Sequence, residues 1–375
     1  MIYFDCAATS FQKPTTVTAA MEHALYTMTS PGRGGYESAV QAAETVYACR
    51  EEAAQLFGLQ DPSRVVFTFN ATHALNIAIK SLVPHGGSVV ISGYEHNAVT
   101  RPLCKLKAKI YTAHSPLFHP EESLFSFDAQ IRPEICAVIC NLVSNVFGFI
   151  QPIEEIAAIC KNRNIPLIID ASQGAGVIPL NMDQLGASFI AAPGHKGLYG
   201  PQGTGILLCG EDIMPESILE GGTGSISLQQ SMPEFLPDRL EAGTPNIIGI
   251  AGLLEGIRYV HQKGLLKIYK KERSLAAIAA AGLREFPTVD VFSSPELQDQ
   301  TGVLSFRVKG RDCEEIASIL GDLGFAVRAG LHCAPLAHFS GGTLESGTVR
   351  LSFSDFNTEE EVKEFLDAMC RVLMG

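Results

Sequence analysis

Short, nearly uninterrupted apolar runs recur along the first two-thirds of the chain, each followed by an amphipathic stretch. The runs predict strands over residues 64–69, 88–91, 107–112, 135–141, 165–170, 189–192 and 205–208. Helices are predicted over 72–82 and 153–161. Strands alternating with helices point to a mainly parallel sheet covered on both faces. The absence of period-two alternation within the runs fits strands that are buried on both sides. Ahead of the first run, two helices are predicted over 15–26 and 37–57, separated by the glycine-rich loop Ser30-Pro-Gly-Arg-Gly-Gly35.

After about residue 257 the rhythm changes. A charged helical stretch over 265–285 leads to a strand at 302–308, a helix at 313–323, a short strand reaching Arg328, a strand at 348–353 and a closing helix at 358–373. The pattern predicts an α/β protein: a large domain over 15–256 with a mainly parallel seven-stranded sheet, and a smaller C-terminal α+β domain over 257–375, against which residues 1–14 pack.

Composition narrows the functional classes. The 375 residues carry 28 basic and 40 acidic side chains, a net charge of −12. A nucleic-acid binder needs a basic face, and a polybasic membrane-surface protein needs a cationic cluster, so neither partner is expected. No apolar run is long enough to span a bilayer. The first residues lack the basic-then-apolar form of a secretory signal, so the expected compartment is the cytoplasm. The ten cysteines should then be reduced. They contain no CxxC pair, and no metal site is predicted. Most read as small core residues.

Six constellations carry candidate chemistry. In Gly194-His195-Lys196-Gly197 a lysine stands among glycines after a buried strand, where it can form a Schiff base with a carbonyl cofactor; alone it could be a solvated turn. Asp170 ends an apolar strand, where α/β sheets place ligand groups; an acid there can pair with a pyridinium nitrogen or simply cap a helix. Phe69-Asn70-Ala71-Thr72-His73 forms a strand-to-helix junction able to bind phosphate or to act as an ordinary cap. His96 follows a strand and could stack on a ring or move protons, although a lone histidine is commonly structural. Cys333 lies in a polar loop after Arg328 and His332, and positive neighbours favour a thiolate. Arg350 interrupts an apolar strand, a position that suits bidentate binding of a carboxylate.

Taken in this order, the motifs resemble the class V aminotransferase fold, and within it the cysteine desulfurases and selenocysteine lyases. The resemblance runs from Tyr3-Phe4-Asp5-Cys6-Ala7-Ala8-Thr9 through His96, Ser144-Asn145-Val146-Phe147-Gly148, Asp170-Ala171-Ser172-Gln173, Gly194-His195-Lys196 and Glu241-Ala242-Gly243-Thr244-Pro245-Asn246 to Arg328–Cys333 and Arg350. The Arg-x-Gly-x-His-Cys-Ala form is similar to the group II desulfurases. The resemblance implies a fold type I enzyme dependent on pyridoxal 5'-phosphate. Lys196 would hold the cofactor covalently, Asp170 would pair with its ring nitrogen, and His96 would stack on the ring. Gln173 and Asn145 would bond its ring substituents. Ala71, Thr72 and His195 would hold the phosphate, with Gly243 and Thr244 reaching it from a second subunit of a homodimer with shared active sites. Arg350 would clamp the substrate carboxylate, with Arg328 and Asn145 beside it. Cys333 would take sulfur from L-cysteine, leaving L-alanine, and pass it to a sulfur-acceptor protein, as in iron–sulfur cluster assembly.

Two other activities fit the same motifs. One is a selenocysteine lyase acting on L-selenocysteine and releasing selenide for selenium or molybdenum cofactor maturation. The other is a class V aminotransferase or lyase without sulfur transfer. The chain also departs from the family pattern. Pro193 stands where a serine is usual, so one phosphate contact is lost. Asn70-Ala71-Thr72-His73 replaces Gly-Thr-Thr-Glu, removing a hydroxyl and leaving His73 as a candidate substitute ligand. The N-terminal extension of many group II enzymes is absent, so their partner surfaces are not carried over.

Overall fold

The computed structural model describes residues 1–32, 34–211 and 213–374, so Arg33 of the glycine-rich loop lies outside the described residues. Seven strands form the large sheet, in the spatial order Val65–Thr68, Gly205–Cys209, Phe189–Pro193, Leu167–Asp170, Ile135–Asn141, Ser88–Ser92, Lys109–Ala113. All neighbours are parallel except at Gly205–Cys209, which runs antiparallel to both of its partners. The sheet is therefore mixed and mostly parallel, and the predicted α/β architecture holds.

The uninterrupted apolar runs are explained by two-sided burial. Leu167 and Ile169 join one core cluster while Ile168 joins the cluster on the opposite face, and Val138 and Cys140 are likewise separated from Ala137 and Ile139. The strand predicted from residue 107 begins at Lys109 instead, because Lys107 turns with φ 52°. Five of the described helices escaped the sequence pattern: Asn97–Lys105, Pro120–Gln130, Met182–Leu185, Ile247–Lys263 and Pro335–Ser340. The first is short and carries Pro102 inside it, so its apolar period is weak and its proline reads as a breaker.

A four-stranded antiparallel sheet follows, in the order Arg328–Gly330, Thr348–Ser352, Val303–Val308, Val289–Phe292. Its core also takes in Phe4, because Ile2–Tyr3 pairs in parallel with Phe325–Ala326. Tyr94, Val146, Phe147 and Phe149 from the large sheet's loops pack with Ala334 and Ala337. This small cluster braces the segment around Cys333 against the carboxyl edge of the large sheet. None of the described helices is long and apolar enough to cross a membrane.

Candidate active site

The sheet's register creates the site. Asn141 pairs with Asp170, Asp170 with Ala191, and both Pro193 and Thr68 with Gly205, so these strands end along one edge. His96, Asn145, Asp170, Lys196 and the helix Ala71–Leu82 all follow from that edge, where open α/β sheets bind ligands. They line a cleft of about 360 Å³ that also contains Gln173, His195, Arg328, Cys333 and Arg350. This size falls within the usual range of about 300–1,000 Å³ for small-molecule sites.

The loops carrying Asp170 and Lys196 approach closely because glycines allow it. A Cβ on Gly197 would lie 2.4 Å from the Ala175 carbonyl oxygen, and Gly176, at φ 84°, would meet the Gly197 carbonyl at 2.1 Å. Lys196 projects from this contact into the cleft. Burial and the nearby Arg350 charge push its amine down to about 8, against partial support from Asp170 and Asp5. Asp170 accepts the Ser172 amide at Oδ1, 2.9 Å.

His96 caps the helix Asn97–Lys105 by accepting the Ala98 amide at Nδ1, 3.0 Å. A neutral His96 therefore carries its proton on Nε2. Burial keeps it neutral, reinforced by Lys196, Arg101 and Arg350 against the pull of Asp170. Gln173 donates to the Ala7 carbonyl at 2.9 Å. Asn145 donates Nδ2 to the His332 carbonyl at 2.8 Å, while its buried Oδ1 is left without a partner.

At the start of helix Ala71–Leu82, Asn70 Oδ1 takes the His73 amide and the Asn70 carbonyl takes that of Ala74. The amides of Ala71 and Thr72 remain for an anion. His195 holds Thr9 at 3.1 Å; burial and the Lys196 and Lys13 charges push it down to about 4. His73 does not join this group. Its ring stacks on Phe69, with centroids 4.7 Å apart, and accepts the Phe69 amide. It lines a neighbouring cavity together with Gly243 and Thr244.

Gly243 and Thr244 are likewise outside the main cleft, and both are exposed. Their segment is pinned at its ends. Glu241 receives Arg50 at 2.8 and 2.5 Å and the Phe67 amide at 2.6 Å; Asn246 caps the helix Ile247–Lys263.

Cys333 is exposed at the mouth of the cleft. His332 and Cys333 adopt φ 48° and 55°, a sparsely populated conformation for side-chain-bearing residues. The Asn145 bond to the His332 carbonyl and an Asn97 amide bond of 2.8 Å to the Cys333 carbonyl hold them there. His332 points inward and stacks on His338. Burial, then Arg350 and His338, push it down to about 2. It is therefore neutral, and of the two cationic neighbours expected from sequence only Arg328 carries charge. Five cysteines are buried; Cys104 is also exposed, but it does not line the cleft.

Two residues escaped sequence reasoning. Asp5 bonds both Arg328 and Arg350; the two arginines in strand patterns were its only local signal. Glu95 is fully buried beside His96. Its Oε1 accepts Ser92 and the Asn141 amide, its Oε2 has no partner, and burial pushes it up to about 8.

The profile of the Aminotransferase class-V family matches residues 2–365. A probable cysteine desulfurase of Mycolicibacterium paratuberculosis is 33% identical over the whole chain, which spans only 56% of that protein's length. A probable cysteine desulfurase of Pyrococcus abyssi is 31% identical over 98% of this chain and 93% of its own. The apo structure of a cysteine desulfurase from Thermococcus onnurineus superposes with a TM-score of 0.91 at 32% identity, covering 100% of this chain and 95% of that one. A match running from the first strand into the last helix, on a sheet whose carboxyl edge gathers lysine, aspartate and histidine, makes the chain a member of the class V aminotransferase family, whose enzymes depend on pyridoxal phosphate.

Proposed function

We propose that the protein is a cysteine desulfurase: it removes sulfur from L-cysteine, leaves L-alanine, and carries the sulfur as a persulfide on Cys333. The observation that carries this reading is an exposed cysteine held over the same cleft as a half-buried lysine of lowered basicity and a buried arginine. The residues fit pyridoxal phosphate. The unengaged Ala71 and Thr72 amides, the Thr72 hydroxyl and His195 suit its phosphate; Asp170 suits its ring nitrogen; His96 suits its ring face; Gln173 and Asn145 suit its substituents; Lys196 suits its aldehyde. When bound, that group supplies an electron sink for charge formed at the substrate α-carbon.

The chain's own residues do the rest. Arg350 holds the substrate carboxylate, and Asn145 fixes both Arg350 and the cysteine loop, through its carbonyl at 2.9 Å and its amide. Lys196, its amine brought down to about 8 so that a usable fraction is neutral at physiological pH, takes the α-proton. His96, with its proton on Nε2, donates to the forming product. The Cys333 thiolate attacks the substrate sulfur. The sulfur–sulfur bond forms as the carbon–sulfur bond breaks, and the carbon takes a proton to become the alanine methyl. Sulfur is oxidised and carbon reduced, so no outside oxidant is needed.

The test is alanine release from L-cysteine by the holoenzyme, with L-selenocysteine in parallel and candidate acceptor proteins added in turn. Release from both, with the cysteine rate rising with an acceptor, is expected. Release from selenocysteine alone makes the protein a lyase, and release from neither overturns the reading.

The same reading includes a homodimer with Gly243 and Thr244 reaching the partner's phosphate site. Support comes from exposed apolar side chains: Phe69 and Leu219, which line one cavity with Gly243 and Thr244, and Met214, Ile226 and Leu228, the last 99% exposed, in the segment that contains Leu219. Exposed apolar surface of this kind marks association. Leu228→Asp is expected to convert a dimer to monomer in gel filtration and to weaken cofactor retention on dialysis. A wild-type protein that elutes as a monomer removes this part of the proposal.

A further inference from the structure

Arg328 and Arg350 face each other directly across the antiparallel pair of Arg328–Gly330 and Thr348–Ser352. Like charges so placed repel, and Arg350 is almost fully buried. Asp5 resolves the conflict. It receives Arg328 Nε at 3.0 Å and Nη2 at 2.8 Å on one oxygen, and Arg350 Nη2 at 2.9 Å on the other. The anion comes from the far end of the chain, delivered by the pairing of Ile2–Tyr3 with Phe325–Ala326 and the bridge of Asp5 to Ser352.

The two guanidinium groups are engaged unequally. Arg328 turns its bidentate face, Nε and Nη2, to Asp5. Arg350 gives Asp5 one nitrogen and the Asn145 carbonyl another, and its buried Nε has no partner. Arg328 also lies near Cys333: both line the cleft, and a Cys333 charge acts on the Arg328 guanidinium. Because Cys333 must reach the substrate sulfur, Arg328 stands at the end of the cleft where the substrate side chain ends.

We infer that Asp5 sets the charge selectivity of the substrate site, occupying Arg328 so that one cation is available at the carboxylate end and none at the side-chain end. The inference rests on the proposed reading in which Arg350 holds the substrate carboxylate and Cys333 meets its sulfur. A site built this way accepts amino acids with a single carboxylate and an uncharged side chain, and gains nothing from an anionic one.

L-Asparagine and L-aspartate test this, because they match in size and differ by one charge. Each is measured as an inhibitor of alanine release from L-cysteine by the holoenzyme. The wild type should bind aspartate no better than asparagine. Asp5→Asn frees the bidentate face of Arg328, and a charge-assisted pair with the aspartate side chain should then favour aspartate over asparagine by about tenfold or more. Any loss transmitted through Arg350 affects both inhibitors and cancels in the ratio. The double variant Asp5→Asn, Arg328→Gln should return the ratio to its wild-type value. An unchanged ratio in Asp5→Asn overturns the inference. So does a preference for aspartate in the wild type, a measurement that stands even if the variant does not fold. A wild type that releases no alanine from cysteine overturns the underlying function, and this inference with it.

Discussion

Replacing Lys196 by alanine is expected to abolish the visible absorption of lysine-linked cofactor and to lower alanine release by about ten-thousandfold or more, the upper range for losing a positioned proton-transfer group. The size of the effect follows from the two tasks that converge on one amine. In the proposed reading it holds the aldehyde of the cofactor, and once freed it moves the substrate proton. Both require the neutral form, and the site raises its share: burial and the Arg350 charge bring the amine down from the ordinary 10.5 to about 8. Uptake of pyridoxal phosphate by the apoprotein should therefore accelerate as pH rises through about 8 and level off above it, rather than climbing towards 10.5. Stopped-flow absorbance across pH 6.5–10 reads this directly. Lys196→Arg keeps a cation in place and should fail equally, since a guanidinium remains protonated. A lysine-linked band that survives in Lys196→Ala would assign the attachment to another residue.

How much of this was legible in the sequence depends on the range of the interaction. The seven strands were visible because burial on both faces turns each into an apolar run, as at Leu167–Asp170, where all four residues are buried. Residues just beyond those runs could be named from position alone: Asp170, Lys196 and the Asn70–Thr72 junction need only the rule that ligands gather at carboxyl edges. The reversed direction of Gly205–Cys209 was not legible. A two-sided buried strand has the same pattern whichever way it runs.

The pairing of Asp5 with Arg350 spans 345 residues, and no local pattern reports such a contact. Burial direction was equally hidden. His332 adjoins Cys333 in sequence, yet its ring turns into the core, towards Thr348 and His338. His73 was a candidate phosphate ligand, yet stacking on Phe69 takes it to the neighbouring cavity. In the proposed reading the departures at residues 70–73 leave the phosphate to the Ala71 and Thr72 amides, the Thr72 hydroxyl and His195, and Pro193, at the end of its strand, brings no amide of its own.

Cys333→Ala should separate cofactor binding from sulfur transfer. Cys333 is exposed, while Asp170 is buried and Lys196 half-buried in the same cleft. The variant should keep the visible band of wild type and lose alanine release from cysteine by about a thousandfold, about 4 kcal/mol of transition-state stabilisation. The loss is large because no second thiol is equipped to substitute. Cys104 is exposed but does not line the cleft, and burial pushes Cys6 up to about 12, which leaves it protonated. Selenocysteine should be affected far less, since selenium leaves carbon more readily and needs no attacking thiol. The geometry of the loop sharpens the expectation. His332 and Cys333 are held at positive φ by hydrogen bonds from Asn145 and Asn97, and Asn97 directly follows His96. The proposed nucleophile and the proposed proton donor are thus tethered through one backbone bond of 2.8 Å. Asn145→Ala, which removes one tether without touching the thiol, should lower kcat on cysteine more than on selenocysteine. Wild-type turnover of cysteine by Cys333→Ala would place the sulfur acceptor elsewhere in the chain.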